Sequence, residues 1–166
     1  MDDRKPLILV IGYGNPGRLD DGLGPALAKA VEDWNLPQVH VDISYQLSVE
    51  DSHAASVHDF VIFVDAAVSG TDEFHFRELS PEVSMSHTSH HLDPASVLGL
   101  AHALFNSNCR GYELGIRGYA FNDFGEKLSV GAGENLQAAL AFLKPLLNEG
   151  MSQLDQSSET LTSKRL

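Results

Sequence analysis

Two acids, Asp20 and Asp21, stand side by side directly after a glycine-rich loop. Paired carboxylates can hold a divalent ion, take a proton from water, or cap a helix. An acid at a helix start is worth roughly 0.3–1 kcal/mol through the helix dipole. One acid suffices for that purpose. The second is left at the carboxyl end of a strand, where open α/β sheets build their sites.

Within the same loop, Gly12, Gly14 and Gly17 match G-x-G-x-x-G, the fingerprint of dinucleotide binding. An NAD- or FAD-binding oxidoreductase is therefore a rival reading, with Asp42 as the acid for the ribose. Two features oppose it. Asp20 and Asp21 occupy the place where a pyrophosphate needs free amides. Asp42 also follows Gly17 by 25 residues, later than the fingerprint wants.

Two further groups could reach the paired acids. Asp65 ends the apolar run Phe60-Val61-Ile62-Phe63-Val64. An ionised acid buried there without a partner would cost several kcal/mol, on the order of 2–7. At a strand end it points instead into the sheet-edge crevice, or takes amides of the following turn. His87, His90 and His91 fall within five residues, three of the chain's eight histidines. Imidazole with two carboxylates suits a borderline ion such as Zn²⁺ or Ni²⁺. His40, His53, His58, His75 and His102 are scattered and read as surface or core residues.

The elements that must position these groups alternate. Continuous apolar runs at residues 6–12 and 59–68 read as strands buried on both faces. Residues 39–47 alternate in polarity, 74–79 read as an edge strand, and 113–119 as a further strand. Helical spacing covers residues 25–34, with Asp20 or Asp21 as cap. Helices are also expected over 48–57 with Ser48 as cap, 94–105 with Asp93 as cap, and 129–147 with Ser129 as cap. Pro145 should kink that last helix or end it early. The expected fold is a three-layer α/β/α arrangement with a twisted, mostly parallel sheet between helices. Residues 1–150 read as one domain, and 151–166 as a flexible polar tail.

Composition narrows the partners. Acids outnumber Lys and Arg by 23 to 11, giving a net charge of −12. Such a chain repels phosphate, so nucleic acid and anionic membranes are poor partners. One cysteine, Cys109, cannot form an internal disulfide, and its neighbours supply no obvious base. The opening apolar run is too short for a signal or a membrane span. A cytoplasmic, monomeric protein is the expectation.

Three stretches, GYGNPGRLDDGLG, VIFVDAAVSG and HHLDPASVL, resemble in order and spacing the hydrogenase maturation endopeptidases. The likeness runs from about Leu7 to Leu147. Those enzymes remove a C-terminal peptide from the large-subunit precursor of [NiFe]-hydrogenase after nickel insertion. The resemblance implies metal contact through Asp21, Asp65 and His90, with His91 or His87 as replacements for His90. Asp20 would then be a cap or a supporting residue, and either Asp20 or Asp21 the general base. The implied metal is nickel carried by the substrate, for which Zn or Cd could substitute in a crystal. It could serve as a recognition tag or as a Lewis acid. A non-catalytic chaperone of the same precursor is the other rival.

Overall fold

The computed structural model describes residues 3–83 and 92–154. Among the described residues five strands form one sheet: β1 (Ile8–Tyr13), β2 (Val39–Ser44), β3 (Phe60–Ala67), β4 (Phe74–Glu78) and β5 (Arg110–Arg117). Their order is β2-β1-β3-β5-β4, parallel except for β4, which runs antiparallel at one edge. Four helices among the described residues cover it: α1 (Leu23–Asp33), α2 (Val49–Ser56), α3 (Pro94–Phe105) and α4 (Val130–Asn148). The expected three-layer α/β/α fold with a mostly parallel sheet is what forms.

The central strands are apolar on both faces because both are covered. Ile8, Val10, Ile62, Val64, Leu114 and Ile116 pack with α1 and α4. Leu9, Ile11, Val61 and Phe63 pack with Leu47, Ala55, Val97, Leu98 and Ala101, from the side of α2 and α3. Alternation along a strand divides them.

Chain order sets the position of the site. From β1 the chain crosses through α1 to β2 on one side, then returns through α2 to β3 on the other. The crevice between the carboxyl ends of β1 and β3 is therefore the switch point, where such sheets bind ligands.

Several local expectations shift. β2 ends at Ser44, and β5 begins at Arg110, so the strand starts three residues before Glu113. Neither Asp20 nor Asp21 caps α1: its cap is Gly22, with no side-chain bond. Both acids lie in a single 3-10 turn, Leu19–Gly22, ahead of the helix. Ser48 and Asp51 form a capping box on α2. Asp93 accepts the Ser96 amide at 2.8 Å, and Ser129 accepts the Ala132 amide at 3.3 Å. Helix α4 does not end early but continues through Pro145 to Asn148. Residue 151 does not begin the tail: Met151 is buried in the α1–α4 core, and Leu154 packs against it. Residues 155–166 lie outside those described.

Candidate active site at the carboxyl edge of the sheet

The loop after β1 is shaped by backbone approach. Gly14 has φ +139°, and a Cβ there would lie 2.1 Å from the Asp21 carbonyl oxygen. Only glycine fits both requirements. A Cβ at Gly12 would meet the Gly24 carbonyl oxygen at 2.2 Å. One at Gly24 would meet the carbonyl oxygens of Tyr13 and Val64 at 2.4 and 2.5 Å. These glycines let the first turn of α1 sit directly on β1 and β3. That contact accounts for Gly12 without a phosphate, and it carries the acidic turn to the crevice.

The paired acids part company there. Asp20 is fully buried. Its carboxylate accepts the amides of Tyr119, Ala120 and Ser129 at 2.8, 2.9 and 2.7 Å, and the Ser129 hydroxyl at 2.7 Å. Burial pushes its pKa up, but the Ser129 hydroxyl and the three amides outweigh that and hold it below the ordinary value. Three of these four bonds fall on Oδ2 and one on Oδ1, so the carboxylate is held at both oxygens. These bonds give Asp20 a structural role. It pins the β5–α4 loop, residues 118–129, to the loop after β1.

Asp21 faces the crevice. One of its oxygens accepts the Asn15 amide at 2.8 Å, and Asn15 Oδ1 in turn accepts the Gly17 amide at 2.9 Å. Asp65 faces it from β3, with Oδ1 accepting the Ala66 amide at 2.7 Å. Burial raises the Asp65 carboxyl to about 6, and the Asp21 and Glu113 charges add to this against the Ala66 amide and the Tyr13 hydroxyl. The same burial, with the charges of Asp65 and Glu113, raises the Tyr13 phenol. Tyr13, Gly14, Asp21, Asp65, Leu92 and the 45–47 loop line a cleft of about 280 Å³.

Two carboxylates facing one cleft, one of them largely buried, mark a site where a cation is favoured. Asp21 and Asp65 are suitable oxygen donors for one. Among the described residues no group of three or more His, Cys, Asp or Glu is disposed to hold a metal. His87, His90 and His91 lie outside the described residues. The described neighbour of that stretch, Leu92, lines the cleft.

Cys109 is 2% exposed, and burial followed by the Asp59 charge pushes its thiol up to about 12. It behaves as a core residue, as its loop neighbours suggested. Among the described residues no helix is long and apolar enough to cross a membrane.

No family model and no curated protein sequence matches the chain. Solved structures do resemble it. The [NiFe] hydrogenase maturation protease HycI from Thermococcus kodakarensis KOD1 superposes with a TM-score of 0.65 at 20% identity, over 88% of this chain and 95% of that one. The hydrogenase maturating endopeptidase HybD from Escherichia coli gives 0.62 at 20% identity, over 86% and 93%. An uncharacterised protein from Wolinella succinogenes gives 0.59 at 25% identity, over 86% and 97%. The chain thus has the fold of these proteins across nearly its whole described length.

Proposed function

We propose that the chain is an endopeptidase that removes the C-terminal extension of a nickel-loaded [NiFe]-hydrogenase large-subunit precursor. One observation carries the reading: Asp21 and Asp65 meet in one cleft at the switch point of a fold shared with hydrogenase maturation proteases. The loop and strand motifs that resemble that family are the segments that bring the two acids there.

Asp21 and Asp65 contact the nickel that the precursor carries, with His90, or His91 in its place, as third contact. Nickel is part of the substrate and acts as a recognition tag. It anchors the extension so that the bond to be cut lies beside the carboxylates. Water then adds to the scissile carbonyl carbon. A carboxylate of the pair takes its proton and passes it to the departing amine as the carbon–nitrogen bond breaks. Each carboxylate accepts one backbone amide, but Asp65 also interacts with the Tyr13 hydroxyl, which leaves Asp21 as the better base.

The test compares nickel-loaded and nickel-free precursor by mass spectrometry after mixing with the protein. Loss of the extension only from the loaded form is the expected result. Equal cleavage of both forms contradicts the recognition role. Binding without any mass loss favours the chaperone, and tight NAD or FAD binding in a fluorescence titration favours the oxidoreductase.

A further inference from the structure

One row of residues crosses all five strands at the carboxyl edge of the sheet. Tyr13 pairs with Ser44 on β2, and it follows the Gly12–Val64 pair, so it stands level with Asp65 on β3. Asp65 pairs with Gly115 on β5, and Gly115 pairs with His75 on β4. Side chains in one row share a face. This is the face of α2 and α3, because Phe63, two residues before Asp65, packs there.

Gly115 leaves a gap beside Asp65, and His75 lies over it. A Cβ at 115 would meet the imidazole Cε1 at 2.1 Å and Nε2 at 2.6 Å. Gly115 is not among the residues with positive φ, so its backbone does not demand glycine. The missing side chain makes room for the ring. His75 is exposed, and its ring nitrogens have no hydrogen bond to a described residue. The other polar groups nearby are engaged: Arg77 binds Glu113 at 2.6 Å, and the Tyr13 hydroxyl interacts with Asp65. A neutral imidazole offers one donor and one acceptor, as a peptide unit does.

We propose that His75 is a substrate-contacting residue that hydrogen-bonds the backbone of an extended polypeptide as it crosses Gly115 beside Asp65. This rests on the endopeptidase reading and adds to it the direction the bound chain takes, from the cleft towards β4. The competing explanation is packing alone, a ring from the edge strand covering a glycine of its neighbour.

Three variants separate the two. His75→Phe keeps a ring over Gly115 and removes both nitrogens. In cleavage of nickel-loaded precursor it should leave the Tm and kcat unchanged while raising KM about tenfold, the loss of roughly one hydrogen bond. Gly115→Ala displaces the ring and should raise KM similarly, and the double variant should be no worse than either single one. In His75→Cys the new thiol is the reactive one, since Cys109 is buried. Precursor should slow its alkylation by iodoacetamide and leave a thiol from Glu149→Cys, on the far end of α4, unaffected. Wild-type kinetics for His75→Phe, or an unprotected thiol while wild-type protein cleaves, overturns the contact and leaves the endopeptidase. Absence of cleavage by the wild type overturns the endopeptidase reading and this inference with it.

Discussion

Asp20 and Asp21 are neighbours with opposite duties, and the difference is measurable. Removing the Asp20 carboxylate orphans three amides and a hydroxyl. Asp20→Ala should therefore cost about 3 kcal/mol or more in chemical denaturation. Asp20→Asn should also destabilise, because its amide turns a donor towards donors. The Asp20 pKa is held below its ordinary value. Its stabilisation is thus complete above the unfolded carboxyl pKa and lost as pH falls through the folded one.

Asp65 has the reverse sign. Its folded carboxyl, at about 6, binds a proton more tightly than the unfolded one at 3.8. The metal-free protein loses that contribution as pH rises through this window. Asp65→Asn should accordingly raise the Tm of metal-free protein at pH 7 and not at pH 3.5. Allowing for partial exposure, the gain is at most about 2 kcal/mol. A lower Tm at pH 7 would show that the burden on Asp65 is absent. Activity should be lost in the same variant, the signature of a site kept at the expense of stability.

At the scale of elements, α1 is placed by glycines. Gly24→Ala drives a methyl against two backbone oxygens of β1 and β3. It should destabilise by roughly 1–3 kcal/mol, and activity should fall further than the loss of folded protein explains. Gly133, inside α4, has open space around its Cβ position. Gly133→Ala should raise stability by about 0.5–1 kcal/mol with cleavage unchanged, as differential denaturation and the mass assay would show.

The same contrast explains what could be read from the sequence. Buried strands β1 and β3 announce themselves as unbroken apolar runs bounded by turns. The caps Ser48, Asp93 and Ser129 follow from local chemistry alone. Asp21 and Asp65 were legible because an acid at the end of an apolar strand needs a reason to be there. The separate duty of Asp20 was not, since its partners lie about a hundred residues away, at 119–129. Nothing local in the sequence marks His75 among the scattered histidines. Only the pairing of β4 with β5 brings it to Gly115. The start of β5 was hidden for a similar reason: Arg110, Gly111 and Tyr112 lack an apolar run, and the pairing with β3 holds them extended.

For the whole molecule, a net charge of −12 and a cleft walled by carboxylates describe a protein that draws cations. Chain order places the switch point between β1 and β3, and the two acids converge on it from the two strands. In the proposed function these two acids process a nickel-loaded precursor. The direct measurement is the intact mass of nickel-loaded large-subunit precursor after incubation with wild-type, Asp21→Ala and Asp65→Ala protein, each checked for a native circular dichroism spectrum. Loss of the C-terminal extension with the wild type and an unchanged mass with both variants is the expected result. An unchanged mass with the wild type, or cleavage preserved in both folded variants, would contradict the account.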